Sequence, residues 1–192
     1  MEKLLSNGEN SEYEFKKAEN YLPEDIWETY SAFANTNGGI IVLGVKEKRD
    51  EFTIFGVNNP KAIEKQFFDC INNKNKVNIN LLSNSNVKII EINGKNIIKI
   101  TIPRASRLEK PIFINNNPMT GTYKRNHSGD YKCTESEIRR MFAEQSDIAR
   151  DNIQVEDVTI GDINFETLMS YRKRFSIVRG TTHAWVALSD TE

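Results

Sequence analysis

The 192-residue chain is short of several things, and each shortage removes a class of function. It has two cysteines, Cys70 and Cys133, and two histidines, His127 and His183. Two cysteines cannot build a disulfide framework, and they suit reduced thiols of the cytoplasm. Neither sits in a C-x-x-C pair, and the histidines are far apart, so the pattern offers no zinc site. No apolar run approaches the roughly 20 residues that span a bilayer, so no membrane partner is expected. The stretch Met1-Glu2-Lys3-Leu4-Leu5-Ser6-Asn7 lacks the apolar core of a secretory signal. There is no G-x-x-x-x-G-K-S/T loop to cradle a nucleotide triphosphate and no G-x-G-x-x-G after a strand, so no motor of the helicase kind is expected in this chain. A nucleophile elbow is also missing, as are repeats at solenoid periods.

What is present is ordinary globular composition, 38% hydrophobic and 28% charged, with a net charge of −1. The near-neutral total hides a split. Residues 1–31 carry eight acids against Lys3, Lys16 and Lys17, a net of −5. Residues 99–132 carry seven bases against Glu109 and Asp130, a net of +5. Charge therefore has to be read locally.

The hydrophobic pattern predicts an alternation of strands and helices. Tyr13-Glu14-Phe15-Lys16 alternates polarity as a half-buried strand does. Pro23, Glu24 and Asp25 suit the start of a helix whose apolar face is Ile26, Trp27, Tyr30, Phe33 and Ala34, and Asn37-Gly38-Gly39 stops it. Ile40 to Val45 is a continuous apolar run, the mark of a buried central strand, and Phe52 to Val57 is the next strand. Asn59-Pro60 opens a helix with Ile63, Phe67, Cys70 and Ile71 at helical spacing. Val87–Ile92 and Lys95–Ile102 flank Asn93-Gly94, a two-residue hairpin signal. Residues 111–132 read as strand, long loop, strand. Thr134-Glu135-Ser136-Glu137 is a capping box that places a helix from about Glu135 to Gln145. Beyond Ser146 the pattern weakens to one amphipathic helix over Asn164–Phe175. The expected fold class is α/β (α+β): mixed, mostly antiparallel sheets with packed helices, sandwich-like over residues 1–146. Residues 147–192 are expected to form a C-terminal extension, the start of a further region.

Three stretches carry candidate chemistry. In Glu9-Asn10-Ser11-Glu12-Tyr13-Glu14, Glu12 and Glu14 share one face of an extended segment, and clustered carboxylates bind hard divalent cations; a solvated acidic terminus has the same composition. Ala32 to Gly39 puts small residues and paired glycines at a helix end, where a backbone can come close to a strand or ligand. Such helix C-termini are not where phosphate sites usually lie. The third stretch combines Arg104, Arg107 and Lys110 with Tyr123-Lys124-Arg125-Asn126-His127 and Tyr131-Lys132. Arginine and lysine meet phosphates, and tyrosine and histidine stack on bases, while an edge hairpin with ordinary charges reads the same way.

Glu14-Phe15-Lys16, then Trp27 to Gly39 with its Ser31-Ala32-Phe33-Ala34-Asn35-Thr36 core, then Ile41-Val42-Leu43-Gly44-Val45, together resemble a Schlafen-type AlbA domain. Gly121-Thr122-Tyr123-Lys124-Arg125 and Glu137-Ile138-Arg139-Arg140-Met141 resemble its bacterial branch, in which members are described as transcriptional regulators or RecG-related helicases. The resemblance covers roughly residues 9–146. It implies a nucleic-acid-binding α/β module that binds DNA or RNA. Some eukaryotic relatives are metal-dependent endoribonucleases with three acids. Their positions fall here on Glu9, Glu14 and Glu47, the last being a glutamate between Lys46 and Lys48 where those relatives have aspartate.

The expected function is nucleic-acid binding, DNA in the first place, by a transcriptional regulator, with Arg104, Arg107, Lys110, Tyr123, Lys124 and Arg125 as contacts and no cofactor required. One alternative is a nuclease in which Glu9, Glu14 and Glu47 are catalytic and hold Mg²⁺ or Mn²⁺. Another is a protein-interaction or homo-oligomerisation module in which Trp27 and the apolar helix faces pack a partner.

Overall fold

The computed structural model describes residues 10–48, 51–145, 159–180 and 183. By backbone proximity the chain divides into two compact units, Met1–Asp147 and Ile148–Glu192.

The first unit is built on a four-stranded sheet. Its strands are β1 (Tyr13–Lys16), β2 (Gly39–Leu43), β5 (Val87–Ile92) and β6 (Lys95–Ile102), in the order β1-β2-β6-β5. Only β1 and β2 run parallel; β2–β6 and β5–β6 are antiparallel. Two further antiparallel pairs stand apart, β3 (Val45–Lys48) with β4 (Glu51–Ile54), and β7 (Tyr123–Asn126) with β8 (Gly129–Lys132). The helices of this unit are α1 (Ile26–Asn35), α2 (Pro60–Ile71), the single turn α3 (Pro118–Gly121) and α4 (Glu135–Glu144). The fold is a mixed α+β arrangement of small, mainly antiparallel sheets.

Each face of the main sheet buries its own cluster. On one face Ile41, Leu43, Ile98, Ile100 and Ile102 meet α1 and α2, with Ile26, Trp27, Tyr30, Phe33, Ile63, Phe67 and Ile71 all buried. Trp27 is 2% exposed and stacks on Phe67 with ring centroids 5.4 Å apart. It is therefore a core residue, not the partner-facing anchor that an interaction module would need. On the other face hairpin β3–β4 packs over Phe15, Val42, Val45 and Ile97, and Phe15 meets Phe52 edge to face at 4.9 Å.

Several expectations shift once the backbone is in place. The predicted strand Ile40–Val45 is two strands, because Gly44 at φ +92 breaks it and sends Val45 into a different sheet. Gly44 O accepts from Phe55 N and Gly56 N, both at 2.9 Å, so the chain closes a loop there and the following strand ends at Ile54 rather than Val57. Residues 111–122 form no long strand; they make single bridges at Phe113 and Ile114 and then α3. The Asn93-Gly94 hairpin holds as read, with φ +51 and +74, the left-handed pair that its turn requires. Thr134 and Glu137 form the capping box of α4. In the second unit the helix, α5 (Phe165–Arg179), starts at an Asn164 cap and continues past Phe175 until Gly180 at φ +83. Among the described residues no helix is long and apolar enough to cross a membrane.

Candidate functional site

The segment Ser31-Ala32-Phe33-Ala34-Asn35 does more than end a helix. Ser31 and Asn35 are four apart, hence on one face of α1. Ser31 Oγ donates to Ile112 O at 2.7 Å and accepts from Tyr123 N at 3.0 Å. Asn35 Nδ2 donates to Ile112 O at 2.8 Å and Tyr123 O at 3.0 Å, while Asn35 Oδ1 accepts from Ile112 N at 2.8 Å. These two buried side chains therefore clasp the backbone of residues 112 and 123 to α1. Their signal in the sequence is the i, i+4 pair of small polar residues in an otherwise apolar helix. The paired glycines have a matching job. A Cβ on Gly38 (φ +78) would come 2.6 Å from Ile102 O, and one on Gly39 would come 2.6 Å from the Phe33 ring.

Strand alternation then sorts the basic stretch. In β7, Tyr123 and Arg125 face α1 and are buried, whereas Lys124 lies between them on the opposite face. Tyr123 Oη donates to Glu28 Oε1 at 3.1 Å, and burial, with this contact, pushes the phenol up to about 12. Arg125, its side chain 2% exposed, is held between two carboxylates: Nη1 to Asp130 Oδ1 at 2.8 Å and Nη2 to Glu14 Oε2 at 2.9 Å. Nη2 also donates to Asn10 O at 2.8 Å and Tyr13 O at 3.1 Å, and the guanidinium lies 4.9 Å from the Phe33 ring centroid. Asp130 Oδ2 accepts from Thr29 Oγ1 at 2.7 Å. These two expected contacts, Tyr123 and Arg125, thus serve the interior and are too enclosed to meet a phosphate.

Glu14 has its other oxygen on Lys16 Nζ at 3.2 Å, and Lys16 also pairs with Asp25 Oδ2 at 2.7 Å. Burial draws the Lys16 amine down, but the Asp25 hydrogen bond and the two carboxylate charges outweigh it, and the net shift is upward. Both oxygens of Glu14 are thus on cations. Among the described residues no group of three or more His, Cys, Asp or Glu side chains gathers in a way that could hold a metal ion. Glu9 lies outside the described residues, and of Glu47 only the β3 backbone, in register with Phe52, is described.

Of the other four expected contacts, Arg104, Arg107 and Lys110 lie on the chain after β6 and Lys124 lies in β7. Lys110 Nζ donates to Asn35 O, and burial together with the charge of Arg104 holds its amine below the usual value. Lys110 and Lys124 both act on the buried Cys133 thiol, which burial raises to about 11. Lys124 pairs with Glu137 at 2.5 Å, and this hydrogen bond, with the Thr134 backbone, brings the Glu137 carboxyl down to about 2. Arg107 reaches the carbonyl of Glu144 at 3.4 Å. Arg104 and Arg107 are exposed.

Comparison with known proteins agrees with this architecture. Residues 9–134 match the model of a family described as Schlafen, AlbA_2. Residues 139–192 match a second family described only as a domain of unknown function (DUF8451). Among solved structures, the chain is similar to the N-terminal domain of a RecG-related protein from Nitrosomonas europaea, at 23% identity and a TM-score of 0.50, covering 69% of this chain and 90% of that one. It is also similar to the DIP2311 protein from Corynebacterium diphtheriae, at 17% identity and a TM-score of 0.50. That match covers 98% of this chain and 34% of the other, so this chain spans about a third of that protein's length. At these identities the likeness is one of fold.

Proposed function

The chain belongs to the Schlafen AlbA_2 family, and on that premise we propose that it binds nucleic acid, with the loop carrying Arg104, Arg107 and Lys110 and the outward Lys124 set against the phosphate backbone. The observation that carries this reading is the exposure of Arg104 and Arg107 on the loop whose Lys110 is anchored at the C-terminus of α1 beside the charge of Arg104. The name of the N. europaea neighbour relates it to the ATP-dependent DNA helicase RecG, a protein that acts on DNA, which supports the same direction. Arg125 enters indirectly. By fixing β7 against α1 and β1, it holds Lys124 on the outer side of the strand. The finer reading is a DNA-binding module of a transcriptional regulator, whose affinity for arbitrary sequence falls at about 10⁻⁴–10⁻⁶ M.

The test is a salt titration of binding to a labelled duplex, wild type against Arg104→Gln/Arg107→Gln. Loss of two phosphate contacts lowers the slope of log affinity against log salt by about 1.8. A slope that does not change places the phosphates elsewhere. Running the titration with RNA of the same sequence tests the preference for DNA.

A further inference from the structure

The sheet face turned away from α1 and α2 carries a second set of cations. Register sets Tyr13 beside Ile40 and Ile40 beside Thr101, and one step along it sets Val42 beside Lys99, which faces Lys88. Alternation puts these side chains opposite the buried Ile41, Ile98 and Ile100. Hairpin β3–β4 covers only part of this face, over Phe15, Val42 and Ile97. Beyond it Lys88 and Thr101 are exposed and Lys99 is partly exposed, while Tyr13 and Ile40 pack against the edge of that cluster and keep part of their surface in solvent.

Two properties of this strip ask for an explanation. Lys88 and Lys99 are direct cross-strand partners, and like charges so placed repel. Among the described residues no carboxylate pairs with them. Neither lysine has an ion-pair partner among the described residues, and no position on this face of the four strands is acidic. Glu14 and Glu91 alternate to the other side. By contrast Lys95, also on this face, is tied to Ile54 O at 2.7 Å. An anionic ligand would turn the uncompensated repulsion into binding energy. The strip also has an aromatic and apolar end, Tyr13 and Ile40, across the sheet from the lysines. Three strand spacings, about 14 Å, separate the two ends, enough for a short run of unpaired nucleotides. A duplex keeps its bases stacked on one another and offers none to Tyr13; a single strand does.

We propose that this open strip is a track for single-stranded nucleic acid, with phosphates on Lys88 and Lys99 and a base on Tyr13. It rests on the nucleic-acid reading above but uses a different surface. The test titrates the 192-residue chain with oligo(dT) and with a mixed-sequence duplex at about 0.1 M salt. Lys88→Gln/Lys99→Gln is expected to lose roughly tenfold in oligo(dT) affinity, with the salt slope falling by about 1.4, while duplex binding changes less than about twofold. Tyr13→Ala is expected to lose at least about fivefold on oligo(dT). The lysine variant keeps or raises its melting temperature, because a repulsion has been removed, so loss of binding is not loss of fold. Unchanged oligo(dT) affinity in the lysine variant, with the Arg104/Arg107 variant still weakened on duplex, overturns the strip and leaves the loop reading standing. An equal loss on both probes overturns the single-strand assignment. If wild type binds neither probe, both readings fall.

Discussion

Arg125 is enclosed, doubly ion-paired and laid over an aromatic ring. Its Nε is buried without a hydrogen-bond partner, so its environment is polar on one side only. A buried charge of this kind depends on its counter-ions. Glu14→Gln removes one of them at nearly constant volume and is expected to cost about 3 kcal/mol in denaturant unfolding. A cost below about 1 kcal/mol would mean that Asp130 alone balances the guanidinium. Glu137 gives a pH signature. Its carboxyl sits at about 2 when folded against an ordinary 4.5, so ionisation favours the folded state. The contribution is fully present above 4.5 and is lost as pH falls through about 2. Because the pair is more than a third exposed, solvent screening leaves about 1 kcal/mol at most. Glu137→Gln therefore melts lower than wild type at pH 6, and the gap closes toward pH 2; a gap that stays constant would deny the linkage. Residue identity alone marked Glu14 and Arg125 as charged and interesting. It did not join them, because they are 111 positions apart and a contact at that range leaves no local pattern.

At the scale of elements, the glycine pair that follows α1 is a packing requirement. The Phe33 ring is fully buried, so it cannot step aside for a methyl group on Gly39. Gly39→Ala is expected to cost about 1–3 kcal/mol by thermal melting, as overpacked cores do; a neutral effect would show that β2 can shift against α1. Elements with strong local chemistry were legible in the sequence: the Asn93-Gly94 turn, the Asn59 and Thr134 caps, and the apolar face of α1. Boundaries set by tertiary geometry were not. The break at Gly44 looks like a continuous apolar run until Phe55 and Gly56 fold back onto its carbonyl. The first strand expected in residues 111–132 falls on the apolar Ile112, Phe113 and Ile114, but Asn35 and Asn78 take the hydrogen bonds that a neighbouring strand would have made. The basic stretch was visible as composition. Its division into inward Tyr123 and Arg125 and outward Lys124 follows from strand alternation, a rule that applies once the strand begins at Tyr123.

At the scale of the molecule, every fully buried apolar side chain described lies between Phe15 and Ile138. In the second unit, Phe165, Tyr171 and Ile177 of α5 are exposed. A chain ending at Asp147 is therefore expected to unfold in one cooperative step within a few degrees of the melting temperature of the same transition in the full chain. A drop of more than about 8 °C would show that the remaining residues belong to the same cooperative unit. The core joins the earliest part of the domain to its latest, and this bears on its synthesis. Glu14, Asn10 and Tyr13 are synthesised long before Arg125, so β1 waits for the cation that fixes it. Closure over such a separation belongs late in assembly, since the loop entropy must be met before the contact forms. In a released fragment that ends just short of residue 125, hydrogen exchange is expected to find the Asn93-Gly94 hairpin more protected than β1.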